Sequence, residues 1–200
     1  MKKVILVDGN NLLFRSYYAT AYQGNFMKNS KGFPTNALYG FVNMINKIIN
    51  DEKPEYMLVA FDKGKTFRHD KYEDYKAGRI EMPNELKQQF PVAKEILTNL
   101  GIKWFEIDNY EADDIVGTLS KMIDDCDDYR GLIVSSDKDL LQLITDKVIM
   151  KMLKPKDYVM MTKETFFDVY GLTPEKMIDI KALQGDSSDN IPGVKGVGEK

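Results

Sequence analysis

The chain is 200 residues long, 43% hydrophobic and 30% charged, an ordinary soluble composition with room for one well-packed core and a small appendage. Its net charge of -3 and pI near 5.3 exclude a nucleic-acid binder built on a uniformly basic surface, but not one whose acids gather around cations. A single cysteine, Cys126, rules out an intrachain disulfide and fits a reducing compartment; a single histidine, His69, rules out any site that needs two.

Residues 3–8, Lys-Val-Ile-Leu-Val-Asp, form an unbroken apolar run ending in an acid, the pattern of a parallel strand buried on both faces. The run is too short for a signal-peptide core or a membrane span, so the protein reads as cytoplasmic with no membrane partner. Gly9-Asn10-Asn11 leads into a helix predicted to reach Tyr22. Arg15 lies on it, about two turns from Asp8, where a lone arginine is by default a surface residue.

Residues 23–33 read as a loop. Pro34 opens a second helix, whose Leu38, Phe41, Val42, Ile45, Ile48 and Ile49 make a core-facing stripe, and Lys53-Pro54 ends it. Residues 56–62 form a second strand that again closes on an acid, Asp62.

Residues 63–83 change character: six basic residues alternate with Phe67, Tyr72 and Tyr75. If this stretch is helical, Arg68, Tyr72, Tyr75, Lys76 and Arg79 share one face and Asp70, Glu73 and Asp74 fall on the other. A solvated loop is the plain alternative. A basic, aromatic face suited to phosphates and stacked bases is the preferred reading.

Asn84 is placed as the cap of a helix that Gly101 stops. A third strand over 103–107 precedes Glu111-Ala112-Asp113-Asp114, which opens another helix. Acids complement a helix N-terminus, but three so close repel one another, and a divalent cation would convert that repulsion into binding. Residues 131–137 make a fourth strand ending on Asp137, with Asp139 and a short helix just beyond. A strand pair at 148–153 and 158–161 follows, then helices over 162–171 and 174–184. The last stretch carries Asp186 and Asp189, then a glycine-studded turn with Lys195, Gly196, Gly198 and Lys200, able to present N–H groups to a phosphate.

Strand and helix alternate, which predicts an α/β fold, a mostly parallel central sheet flanked by helices. Ligands of such sheets bind at the C-terminal strand ends. Asp8, Asp62 and Asp137 end three strands and the Glu111 cluster follows a fourth, so Asp8, Asp62, Glu111, Asp113, Asp114, Asp137 and Asp139 converge, with Asp186 and Asp189 able to close over them. Zinc and iron sites lack their ligands here, while all-oxygen ligation suits Mg²⁺ or Mn²⁺. Two such ions roughly 4 Å apart activate water and stabilise a leaving oxygen in phosphodiester hydrolysis.

Val-Asp-Gly-Asn-Asn at 7–11, Ala-Phe-Asp at 60–62, Tyr-Lys-Ala-Gly-Arg at 75–79, Glu-Ala-Asp-Asp at 111–114, Ser-Ser-Asp-Lys-Asp at 135–139 and Gly-Asp-Ser-Ser-Asp-Asn at 185–190 resemble, in order, the 5′-nuclease (flap endonuclease) family. The likeness is closest to the 5′–3′ exonuclease domains that precede bacterial DNA polymerases.

The resemblance implies a PIN-like 5′-nuclease fold. Residues 1–184 would be the catalytic domain, 63–83 its helical arch, and 185–200 the start of a helix-hairpin-helix whose remaining helices lie beyond a truncated end. It implies a monomeric, bacterial, nucleoid-associated enzyme that cuts DNA at 5′ flaps and 5′ ends near a duplex junction. Such an enzyme also removes RNA primers from DNA hybrids in replication and repair, and here it would be covalently joined to a polymerase domain.

By the same resemblance Asp8, Asp62, Glu111 and Asp113 would hold one Mg²⁺ and Asp137, Asp139 and Asp189 a second, with Asp114 and Asp186 close by and Mn²⁺ as a substitute. Lys76 would contact the scissile phosphate, Arg79 and Arg15 would steer phosphates, and Tyr75 would stack on a displaced base. Gly193 to Gly198 would grip duplex backbone with a K⁺ ion. Two alternatives stand beside this reading: a PIN-like metal-dependent ribonuclease, and a non-catalytic, metal-stabilised nucleic-acid-binding module.

Overall fold

The computed structural model describes residues 1–21, 27–155 and 157–198. Its strands are β1 (Lys2–Asp8), β2 (Tyr56–Ala60), β3 (Lys103–Phe105), β4 (Tyr129–Ser135), β5 (Val148–Leu153) and β6 (Tyr158–Met161). Its helices are α1 (Gly9–Thr20), α2 (Asn36–Glu52), α3 (Phe67–Lys71), α4 (Asn84–Lys87), α5 (Gln89–Asn99), α6 (Ala112–Asp124), α7 (Lys163–Tyr170) and α8 (Met177–Gln184), with a 3₁₀ turn over Lys138–Leu143.

The strands form one sheet in the order β3-β2-β1-β4-β5-β6, parallel except for β6. Ile5, Leu6 and Val7 of the central β1 are fully buried, which explains why the run is apolar at every position. Ile5 and Val7 pack with α1, α2 and α5, while Leu6 packs on the opposite face with α6 and the Lys138–Leu143 turn.

After β1 the chain builds outward to β2 and β3, then returns to the other side of β1 with β4. That reversal leaves a crevice at the C-terminal ends of β1 and β4. Gly9 seats α1 there: a Cβ on it would stand 2.5 Å from the Phe61 ring and 2.8 Å from the Ala60 carbonyl oxygen.

The predicted elements are present, with local differences. Asp62 and Asp137 lie beyond the last paired residues of β2 and β4 rather than within the strands. The predicted cap Asn84 is the first helical residue and Pro83 precedes it. That helix breaks into α4 and α5 because Pro91 has no N–H to offer the carbonyl one turn back.

The largest difference concerns 63–83. The stretch is not one helix: α3 ends at Lys71, and the extended backbone of Tyr72 (φ -144°, ψ 103°) hands over to a run of turns. Among the described residues no helix is long and apolar enough to cross a membrane.

Candidate active site

A cleft of about 850 Å³ opens at the C-terminal ends of the parallel strands, and all nine predicted acids line it. Asp8 ends β1 and caps α1: its buried carboxylate accepts from the Asn11 N–H at 2.9 Å and from Ser135 Oγ at 2.9 Å. Asp62 accepts from the Ala112 N–H at 2.7 Å and from Asn10 Nδ2 at 2.9 Å, which ties the end of β2 to the starts of α1 and α6.

Glu111 is the N-cap of α6, and Asp113 and Asp114 fill its first turn. Asp137 caps the 3₁₀ turn and accepts from the Asp139 N–H at 2.9 Å. Asp186 and Asp189 come from the loop after α8. Gly185 holds that loop in place with φ +72°, because a Cβ there would sit 2.3 Å from the Gly193 nitrogen.

The acids repel one another. Burial pushes the Asp8 carboxyl up to about 7, and Asp62 and Asp137 add to the rise. Burial pushes Asp113 up to about 8, and its neighbours Asp8, Asp137, Asp62 and Glu111 all act in the same direction. Asp62 and Asp139 are likewise raised, first by burial.

Basic side chains answer this charge. Lys76 Nζ is 2.6 Å from Glu111, Arg68 grips Asp114 with both terminal nitrogens at 2.7 and 2.8 Å, and Arg79 pairs with Asp189. Lys181 bridges Asp139 and Asp186 at 2.5 and 2.7 Å. Burial opposes ionisation of Asp186, yet Lys181 and Ser188 hold its carboxyl down to about 2.

Among the described residues no three acids already surround one point closely enough to hold an ion as they stand. The donor set nevertheless fits a divalent cation: it is all oxygen, rich in charge, and at Asp8 and Asp113 starved of counter-charge.

The segment 66–79 reaches the cleft through turns instead of a helix face. Tyr75 is buried, and its hydroxyl stands 3.2 Å from Glu111 and 3.0 Å from Asp189, with one proton to share between the two carboxylates. Lys76 adopts φ 60° and gives its backbone N–H to the Asp189 carbonyl at 2.9 Å. Arg68 and Arg79 also line the cleft.

Tyr72 does not: its hydroxyl donates to the Asn190 carbonyl at 3.2 Å, because the helix ends before its face can repeat. Arg15 is not at the cleft either. Its guanidinium donates to the Lys154 carbonyl, in a separate groove between α1, α2 and the β5–β6 turn, since two helical turns carry it away from the strand end. Lys195, Gly196 and Gly198 are exposed outside the cleft, and Lys200 lies outside the described residues.

Sequence reasoning missed Lys181, Asn10 and Ser135. Lys181 stands one helical turn ahead of the Gly185-Asp186 loop, a position that could have flagged it; Asn10 and Ser135 stood inside the family-like motifs at 7–11 and 135–139 but were given no role of their own.

Residues 3–171 match the family described as 5′-3′ exonuclease, N-terminal resolvase-like domain, and residues 172–200 match 5′-3′ exonuclease, C-terminal SAM fold. The sheet, its acidic crevice and these matches define a nuclease-type chain, and it belongs to the 5′–3′ exonuclease family. The two matched stretches meet just after Gly171, which caps α7.

Among its relatives, the chain is 48% identical to DNA polymerase I of Bacillus subtilis (strain 168), over 100% of this chain and 22% of that protein. It is 47% identical to a 5′-3′ exonuclease of the same strain, over 99% of this chain and 67% of that protein. The chain thus spans less than a quarter of the polymerases it matches, at 22% and 23% of their length. Its structure is similar to that of the bacteriophage T5 flap endonuclease in a pseudo-enzyme-product complex with DNA and metal ions. The TM-score is 0.74 at 28% identity, covering 98% of this chain and 71% of the other.

Proposed function

We propose that the chain is the metal-dependent 5′ nuclease part of a longer protein, cutting DNA at 5′ flaps and 5′ ends beside a duplex junction. Its substrates include RNA primers paired to DNA, and a DNA polymerase domain is the attached neighbour. One observation carries the reading: nine carboxylates drawn from five separate stretches line one cleft and are opposed by Arg68, Lys76, Arg79 and Lys181. A site of buried acids alone would reject DNA, and a uniformly basic one would hold no divalent cation.

In this reading Asp8, Asp62, Glu111 and Asp113 hold one Mg²⁺, and Asp137, Asp139 and Asp189 a second, with Asp114 and Asp186 adjacent. Bound there, a divalent pair supplies an activated water and neutralises charge on the leaving oxygen. The protein's own groups do the positioning. Lys76 and Arg79 turn from their carboxylates toward the incoming phosphate, and Tyr75 has to leave its buried place beside Glu111 and Asp189 to offer its ring to a displaced base. The glycine turn with Lys195 meets duplex backbone, with K⁺ as the ion that this turn accommodates.

The test is cleavage of a 5′-flap duplex, labelled at its 3′ end, with Mg²⁺, Mn²⁺ or chelator, beside an Asp137→Ala control. A metal-dependent cut near the junction, lost in the control, is the expected result. Cutting of an all-RNA flap alone would favour a ribonuclease. Metal-dependent thermal stabilisation without any cut, in this chain and in a longer one, would favour a binding module.

A further inference from the structure

We propose that Arg68 is a positioning residue, not a DNA contact: by fastening α3 to the N-terminus of α6 through Asp114, it holds Tyr75 and Lys76 over the carboxylates. The inference rests on the nuclease reading above and assigns Arg68 a role within it.

The helix α3 is five residues long and none of them is fully buried; the Phe67 ring meets Tyr110 edge-on at 5.9 Å and the Phe67 N–H reaches the Asn109 carbonyl at 3.2 Å, which holds the start of the helix but not the side facing the carboxylates. The strongest tie is polar. Both terminal nitrogens of Arg68 donate to the two oxygens of Asp114, at 2.7 and 2.8 Å, and Glu111 stands 3.8 Å away. Such a fork is rigid and uses the carboxylate at both oxygens. Asp114 is itself anchored, because its Oδ2 accepts from the Glu111 N–H at 2.9 Å. The guanidinium also lies 4.7 Å over the Phe67 ring, which keeps the side chain from swinging.

From Arg68 the constraint passes along the backbone. The Arg68 carbonyl accepts from the Tyr72 N–H at 2.9 Å and the Tyr72 carbonyl from the Tyr75 N–H at 3.0 Å. Tyr75 and Lys76 follow immediately, with their side chains on Glu111. A guanidinium committed in this way has little left for a phosphate. Lys76 and Arg79, one acid partner each, are the groups free to exchange it for one.

The test compares wild type with Arg68→Ala, Arg68→Lys, Asp114→Ala and the Arg68→Ala/Asp114→Ala pair. It uses Mg²⁺-dependent cleavage of the 5′-flap duplex, flap binding in chelator, and amide hydrogen exchange of the metal-free protein. Arg68→Ala is expected to lower kcat roughly 10- to 100-fold while KM and the chelator Kd stay within about twofold. The Tyr75 and Lys76 amides should exchange faster. Arg68→Lys should recover part of the rate, and the double variant should be no slower than the slower single.

A raised KM or Kd with kcat unchanged would make Arg68 a DNA contact. Additive losses, or exchange at Tyr75 and Lys76 that does not change, would also overturn the proposal. If Arg68→Ala does not fold, Asp114→Asn carries the same comparison. A wild type that cuts nothing, here and in a longer chain, removes the nuclease reading, while the exchange data still decide whether Arg68 orders the segment.

Discussion

The ammonium of Lys76 stands 2.6 Å from the Glu111 carboxylate, and the amide of the same residue donates to the Asp189 carbonyl. One residue therefore touches both halves of the acid cluster, its side chain on the α6 side and its backbone on the loop after α8. A divalent ion entering beside Glu111 competes with this ammonium, and a phosphate arriving with the ion gives it a new partner.

The Lys76→Ala variant should therefore separate binding from turnover. Cleavage should fall roughly 10²- to 10³-fold, the scale for losing one preorganised charge at a reacting phosphate. The rise in melting temperature on adding Mn²⁺ should persist or grow, because a competitor has gone. A smaller Mn²⁺ shift would show that Lys76 builds the metal site instead of competing for it.

The raised carboxyls set a pH dependence with a definite sign. Asp8 at about 7 and Asp113 at about 8 both bind protons more tightly in the folded chain than an unfolded aspartate, whose pKa is about 3.9. Their contribution to stability is complete below about pH 4 and is lost as pH rises toward 8, where the folded protein must give up protons that the unfolded chain has already released. Asp186, held down to about 2, has the opposite sign but titrates below this window.

In chelator the melting temperature should thus fall between pH 5 and pH 8, Asp113→Asn should flatten the slope, and Mg²⁺ should largely abolish it. A melting temperature that climbs with pH in chelator would contradict this account.

Lys181 offers a second test. It serves Asp139 and Asp186 together while remaining a third exposed. Its replacement by alanine should cost about 1 kcal/mol or less of metal-free stability, since solvent screens such a pair. It should also tighten Mn²⁺ binding severalfold, measured by titration calorimetry, because two carboxylates lose their internal cation. Weaker binding would mean that Lys181 orders those acids for the ion.

The class of fold and the acidic cleft were legible before any coordinates. Burial on both faces demands unbroken apolar runs, and an acid closing such a run can point only toward the crevice end of a parallel sheet. Asp8, Asp62 and Asp137 could be placed on that logic alone. So could the start of α6, where three acids exceed what a helix terminus needs.

Residues 63–83 were half legible. Arg68, Tyr75, Lys76 and Arg79 do reach the cleft, but the helical spacing used to gather them broke at Tyr72, and turns brought in all but Arg68. A short helix with no buried residue takes its place from its partners, which for α3 lie at 109–114, while the turns after it are held by 186–190.

Local chemistry along the chain decided which residues are strands, which are acids and where a cation would be wanted. Only the tertiary structure decided which cation answers which acid. Lys181, far along the chain, took Asp139; Arg68 took Asp114; Arg15 went to the Lys154 carbonyl and left the site. Electrostatic partnership depends on distance and burial, and both come into being only when separate stretches meet.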